Sequence, residues 1–289
     1  MPKFSAYRFL DTGVQSAALN MAIDEAVLHV HLRGLTPPTL RAFAWECPAI
    51  SLGRFQDVER ELLMDKCAQD GVALVRRPTG GRAVLHVDEF TYSIAISTEY
   101  GVPSGVVPAY AWLAQGIIKA LEPFGIYSEV SMNRMSKQQT AACFAFSTQA
   151  DLTSNGRKLV GSAQVWKENT VLQQGTVPLA ERGTLLFSLL NYPTEQERQR
   201  SLAAYQEAAS SVRAFAPDVT WQQMRGAFLQ GFSAALAVPF EPGTLSQDEW
   251  DLARHLAATK YAFLDWKRLP EHGLPGIPGE VDTESRVSG

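Results

Sequence analysis

The spacing of apolar and polar positions changes several times along the chain, and each change marks an element. Residues 5–10 alternate weakly, which predicts a first strand, and Asp11-Thr12-Gly13 reads as the turn that ends it. Ser16 suits a helix N-cap, with Asn20 as its rival. Beyond it Leu19, Ala22, Ile23, Ala26, Val27 and Val30 recur at helical spacing, so a helix to about Leu32 is expected. Asp24 and Glu25 fall mid-helix, where solvation or pairing with nearby arginines is expected, and His29 and His31 read as exposed residues near its end. Alternation returns over 39–45, Pro48 ends that strand, and 49–53 begins another. A helix from Asp57 to about Asp70, stopped by Gly71, leads into a strand over 72–75. Cys67, inside that helix, reads as a small buried apolar residue.

Residues 105–125 read as a helix, 127–132 as a strand and 133–140 as a polar loop. Asn155-Gly156 is a strong hairpin signal because both positions tolerate positive φ. With a second turn at Lys167-Glu168-Asn169, it divides 149–153, 157–166 and 170–178 into an antiparallel meander. Helical spacing then dominates over 194–208, 221–236 and 245–260. The simplest architecture is one α+β domain over residues 1–268, a mixed, largely antiparallel sheet flanked by helices. The Pro- and Gly-rich residues 269–289 are expected to be an irregular or disordered tail.

Composition narrows the classes. An apolar fraction of 46% with 19% charged residues is ordinary for a globular protein. A formal net charge of −4 gives no global basic field to recruit nucleic acid. Cys47, Cys67 and Cys143 are odd in number and widely spaced, which argues against a disulfide framework or a zinc knuckle and fits a reducing compartment. The N-terminus lacks an apolar signal core, and no run reaches the roughly 18 apolar residues of a membrane span. A soluble cytoplasmic protein with no metal and no cofactor is expected.

Candidate chemistry gathers in two stretches. Residues 75–93 read as strand, glycine turn, strand. Gly80 and Gly81 allow close approach to the main chain, and Arg76, Arg77 and Arg82 bracket them with fork-shaped donors suited to carboxylate, phosphate or a polarised carbonyl. His86 follows closely; a plain turn with solvated arginines is the competing reading. In the second stretch Lys158 follows the Asn155-Gly156 turn, while Gly161 and Ala163 are small residues on a predicted strand, as expected where a substrate lies against it. Lys158 reads either as a donor to a carbonyl or phosphate oxygen or as a solvated turn lysine. Cys143 ends a polar loop, a placement that suits a thiolate nucleophile if positive charge is near; a buried structural cysteine is the alternative.

Taken together these motifs resemble the lipoate–protein ligase A and octanoyltransferase superfamily. They are Arg76-Arg77-Pro78-Thr79-Gly80-Gly81-Arg82-Ala83-Val84-Leu85-His86, Glu89-Phe90-Thr91-Tyr92-Ser93 and Gly156-Arg157-Lys158-Leu159-Val160-Gly161-Ser162-Ala163-Gln164, with the helix around Asn20 to Ala26 and Ser51-Leu52-Gly53-Arg54-Phe55-Gln56. The resemblance implies a fold like the biotin and lipoate–protein ligase catalytic domain, and action on one lysine of a small carrier domain. Cys143 stands where octanoyltransferases of the LipM type carry their nucleophile. This implies transfer of octanoate from octanoyl-acyl carrier protein, through an acyl-cysteine, to a lipoyl carrier domain such as glycine cleavage H protein. Cys143 and Lys158 would then be catalytic, and Arg76, Arg77, Gly80, Gly81, Arg82, His86, Gly161 and Ala163 would bind substrate. Val75, Val84, Leu159 and Val160 are candidate walls of an acyl tunnel, in which each buried CH₂ is worth ~0.8 kcal/mol. The rival readings are an ATP-dependent lipoate–protein ligase, an amidotransferase between carrier proteins, and an inactive carrier- or lipoate-binding sensor.

Overall fold

The computed structural model describes residues 3–131 and 151–265. Within them an eight-stranded sheet runs in the order β11-β1-β2-β6-β10-β9-β8-β7. Its strands are β1 (Tyr7–Gln15), β2 (Thr39–Trp45), β6 (Glu89–Ser97), β7 (Glu129–Ser131), β8 (Asp151–Ser154), β9 (Arg157–Lys167), β10 (Thr170–Pro178) and β11 (Phe240–Gly243). β1 pairs in parallel with β2 and β11, and the other pairings are antiparallel. A second, three-stranded sheet has the order β4-β3-β5, from β3 (Ala49–Leu52), β4 (Ala73–Arg76) and β5 (Val84–His86). The mixed, largely antiparallel α+β class is therefore the one expected. The glycine turn joins β4 to β5, but these two do not pair; β3 lies between them.

Three apolar cores hold the layers. On one face of the large sheet Phe90, Tyr92, Ile94 and Ile96 of β6 pack against α4 (Val106–Leu121) and α7 (Trp221–Leu236). On the other face Phe43, Ala95 and Leu172 meet α1 (Ala17–Leu32) and α8 (Gln247–Thr259). The small sheet shares a third core with α3 (Met64–Gln69), α5 (Gly183–Leu189) and α6 (Glu195–Ala208). Covered on both faces, β6 is buried along its whole length. Among the described residues no helix is long and apolar enough to cross a membrane.

Ser16 caps α1 as expected, its side chain accepting from Leu19 N–H. Thr194, Thr220 and Ser246 cap α6, α7 and α8, the last two with reciprocal capping boxes. Asp11-Thr12-Gly13 does not end the first strand. The register against β2 shifts between Asp11 and Val14 and Gly13 takes φ +61°, so the segment is a bulge within β1. The helix expected over 57–70 is two, α2 (Val58–Glu61) and α3. It breaks at Leu62 and Leu63, where Leu62 bridges to Leu190 and Leu63 N–H donates to Leu189 O; the break buries Leu62 in the third core. His29 and His31 are buried, not exposed, and Asp24 and Glu25 are buried and paired. The reason is common to all four: α1 is enclosed by both sheets and α8, and every residue from Asn20 to His31 is covered. His31 Nδ1 meets Thr36 O at 2.8 Å, and burial pushes its imidazole below the usual range.

Candidate active site

The glycine loop, residues 77–83, is built by the two arginines that enter it. Arg76 donates to the carbonyls of Gly53, Arg54 and Gln56 through Nη1 and to Leu264 O through Nε. Arg77 reaches Ser51 O at 2.8 Å and Ser51 Oγ at 3.2 Å with one nitrogen. With the other it reaches Gly80 O at 2.7 Å and Arg82 O at 2.8 Å. Both side chains are buried, so these forks stitch main chain together from inside. The loop sits on Gly53, where a Cβ would lie 2.0 Å from Gly81 O. Only glycine allows that approach.

Two buried carboxylates reach this loop by separate relays. In the first, Asp24 of α1 accepts from Arg41 Nη1 and Ser93 Oγ at 2.6 Å each and from Gln174 Nε2 at 2.7 Å. Gln174 Oε1 in turn accepts from Thr79 Oγ1 in the loop at 2.9 Å. Arg41 also bonds Asn20 Oδ1 and stacks on Phe43. In the second relay Glu89, on β6, pairs with Arg182, accepts from the Thr91 and Thr176 hydroxyls, and holds His86 Nδ1 at 2.6 Å. His86 Nε2 lies 2.7 Å from Ser51 Oγ, and Ser51 is the anchor of Arg77.

Burial alone would raise the Glu89 carboxyl, but His86 and Arg182, with the Thr176 hydroxyl, outweigh it and bring it down to about 2. Burial pushes the His86 imidazole below its usual range against the pull of Glu89. Nδ1 faces the Glu89 carboxylate and Nε2 faces the Ser51 hydroxyl, so both ring nitrogens are engaged. The ring stacks on Trp45 with ring centres 4.0 Å apart.

Between the loop, the α4 N-terminus and the facing strands lies a cavity of about 310 Å³. Of the residues singled out from sequence, Arg77, Gly80, Gly81, His86, Gly161 and Ala163 line it together, while Arg76 and Arg82 do not. Of the four candidate tunnel residues Val84 lines it; Val75, Leu159 and Val160 face apolar cores instead. Lys158 stands off the cavity wall on the same strand as Gly161. It is fully buried, 2.9 Å from Asp151 Oδ1 on β8, so the solvated-turn reading does not apply. The β8–β9 register shifts beside it, between Leu152 and Thr153. Cys143 lies outside the described residues. Among the described residues no cluster of three or more His, Cys, Asp or Glu side chains could hold a metal ion. Sequence reasoning missed Ser51, Tyr110, Asp151 and Gln174. Ser51 stood within the Ser51–Gln56 motif without a role of its own, and Gln174 stood beside Gln173 as a polar pair in a predicted strand.

The fold thus encloses a small cavity beside a glycine loop, with a buried lysine on one of its strands. The family described as lipoyl protein ligase A/B catalytic domain matches residues 16–233. Relatives named Octanoyltransferase LipM include that of Moorella thermoacetica, 42% identical over 265 residues, covering 90% of this chain and 97% of the relative. That of Bacillus subtilis (strain 168) is 35% identical over 269 residues, with 90% and 97% covered. Among solved structures, the bipartite lipoate protein ligase of Thermoplasma acidophilum superposes with a TM-score of 0.76 at 23% identity, covering 91% of this chain and 96% of that one. Lipoate-protein ligase A bound with ATP gives 0.75 at 22% identity, covering 90% and 98%. These two likenesses show the fold. The chain belongs to the lipoyl protein ligase A/B catalytic domain family and, within it, to the LipM octanoyltransferases; it is an acyltransferase.

Proposed function

We propose that this acyltransferase takes octanoate as a thioester from acyl carrier protein, holds it on Cys143, and passes it to one lysine of a lipoyl carrier domain such as glycine cleavage H protein. The observation that carries the reading is the cavity. At about 310 Å³ it sits at the small end of ligand pockets, a fit for a short acyl chain. Its wall joins the glycine loop to the strand that bears Lys158.

In the first half-reaction the Cys143 thiolate attacks the donor carbonyl, the donor C–S bond breaks, and the released thiolate takes up a proton. One thioester replaces another, so the step is nearly balanced and needs no ATP. In the second, the neutral amine of the carrier lysine attacks the acyl-cysteine. The C–S bond breaks, the amide forms, and the amine sheds a proton. Lys158, fixed by Asp151, supplies positive charge for the oxyanion of both steps, with main-chain N–H groups of the Gly80-Gly81 loop. Arg77 and His86 hold that loop and the cavity wall in place, and Gly161 and Ala163 leave room for the chain. The catalytic unit is a single domain over residues 1–268.

The test is incubation with octanoyl-acyl carrier protein in the absence of ATP, followed by intact mass measurement. A gain of one octanoyl group, absent in Cys143→Ala, is expected, as is onward transfer to the carrier lysine. Carrier modification only when ATP and free acid are supplied would replace this reading with a ligase. Acceptance of an octanoylated carrier protein as donor would make the protein an amidotransferase.

A further inference from the structure

Most polar side chains on the cavity wall are already engaged within the protein. Ser51 and His86 bond each other, Thr91 and Thr176 bond Glu89, Gln174 bonds Asp24 and Thr79, and Ser162 bonds Tyr92. Tyr110 is different. It lies one turn into α4, on the same face as Val106, and both line the cavity. The side chain is 1% exposed, yet its hydroxyl has no hydrogen-bond partner among the described residues. A buried hydroxyl left so is costly and calls for an explanation.

The geometry points to Tyr110 as the hydrogen-bond donor to the acyl carbonyl oxygen during transfer. An octanoyl chain is apolar except at its carbonyl, so the carbonyl oxygen is the acceptor on the chain that the O–H of a residue in the cavity wall can meet. The position fits as well. Asp151, the partner of Lys158, is near enough to act on the phenol electrostatically. Burial, with Tyr92 and Asp151, pushes the Tyr110 phenol well above its usual range, so it stays protonated and donates without transferring its proton. As the carbonyl becomes tetrahedral its oxygen gains charge, and the Tyr110 bond strengthens.

This inference rests on the proposed octanoyl transfer, and Tyr110→Phe tests it with two readouts. In steady-state transfer from octanoyl-acyl carrier protein, kcat is expected to fall about 100-fold with KM within twofold, the pattern of an interaction made in the transition state. The variant is expected to melt no lower than the wild type, because the hydroxyl removed had no partner. In difference infrared spectra with [1-¹³C]octanamide bound, the carbonyl stretch is expected at higher frequency in Tyr110→Phe. A kcat within twofold of wild type, or a carbonyl band that does not move, would overturn the inference. The infrared arm needs no donor protein, so it judges Tyr110 separately. If the wild type fails to transfer from octanoyl-acyl carrier protein, the proposed function falls, and the carbonyl band still decides the role of Tyr110.

Discussion

Glu89→Gln is the sharpest probe of the scaffold behind the cavity. The carboxylate balances buried Arg182, accepts from two threonine hydroxyls and orients His86. Its ordinary value of 4.5 falls to about 2 in the fold. At ~1.36 kcal/mol per pH unit, that drop contributes about 3 kcal/mol of folding stability at neutral pH. An independent route gives a similar size: removing one partner of a buried ion pair costs about 3–5 kcal/mol. The folded value lies below the unfolded one, so the contribution is fully present above pH 4.5 and is lost as pH falls toward 2. Glutamine does not titrate. The wild-type advantage over Glu89→Gln should therefore be about 3 kcal/mol at pH 7 and should shrink steadily below pH 4.5. Urea unfolding of both proteins at pH 7, 5, 4 and 3 reads the difference directly, and subtraction cancels Glu25, another carboxylate held low in the fold. A difference under 1 kcal/mol at pH 7, or one that does not shrink in acid, would refute the reasoning.

Three further outcomes are expected. Gly53→Ala should cost about 1–3 kcal/mol and nearly abolish transfer, because the new Cβ would lie 2.0 Å from Gly81 O, and the carbonyls on either side of it, Gly80 O and Arg82 O, are tied to Arg77. Thermal melts and transfer assays check it, and wild-type behaviour in both would contradict the close approach. Ala163→Leu should shift acyl preference from octanoyl toward hexanoyl donors, since the larger side chain takes cavity volume and each excluded CH₂ forfeits ~0.8 kcal/mol of burial. Competition between the two donors, read by mass, measures it. Arg77→Lys keeps the charge but cannot span Ser51, Gly80 and Arg82 at once. It should cost about 2–3 kcal/mol by urea unfolding, the worth of one or two charge-assisted hydrogen bonds.

What the sequence disclosed and what it hid divide along physical lines. Local rules served where the determinant is local. Ser16 and the 3.6-residue spacing place α1, and Asn155-Gly156, with φ of +51° and +73°, places the β8–β9 turn. Periodicity registers one apolar face, however, and α1 has none exposed; its Glu25 is held by Lys260, 235 positions away. No window of sequence contains such a partner. β11 was missed for a related reason: it has four residues, one of them Pro242, and a proline strand survives only at an edge, here beside β1. In the site, the glycine loop and its arginines were legible, but their direction was not. Fork-shaped donors read as ligand contacts turn inward to main-chain carbonyls. Tyr110 carried no mark at all, since one tyrosine in an apolar helix looks like core until its hydroxyl is traced.

The buried charges are better understood through the loop than through stability. A buried ion pair seldom outperforms an apolar isostere of the same shape, so Asp24–Arg41 and Glu89–Arg182 are not explained as sources of folding energy. Their relays converge. Asp24 reaches Thr79 through Gln174, and Glu89 reaches the Gly80 and Arg82 carbonyls through His86, Ser51 and Arg77. The loop is thus held from both ends by groups with fixed charge and direction, a constraint that apolar packing cannot impose. The same relays consume the polarity of Ser51, His86, Thr91, Gln174 and Thr176 on the cavity wall, while Ser162 bonds Tyr92 and Gln164 bonds Gln173. An acyl chain then meets walls whose donors are satisfied, and the unpartnered Tyr110 hydroxyl is reserved for its carbonyl. Preorganisation of this kind places the cost of ordering in folding rather than in each turnover.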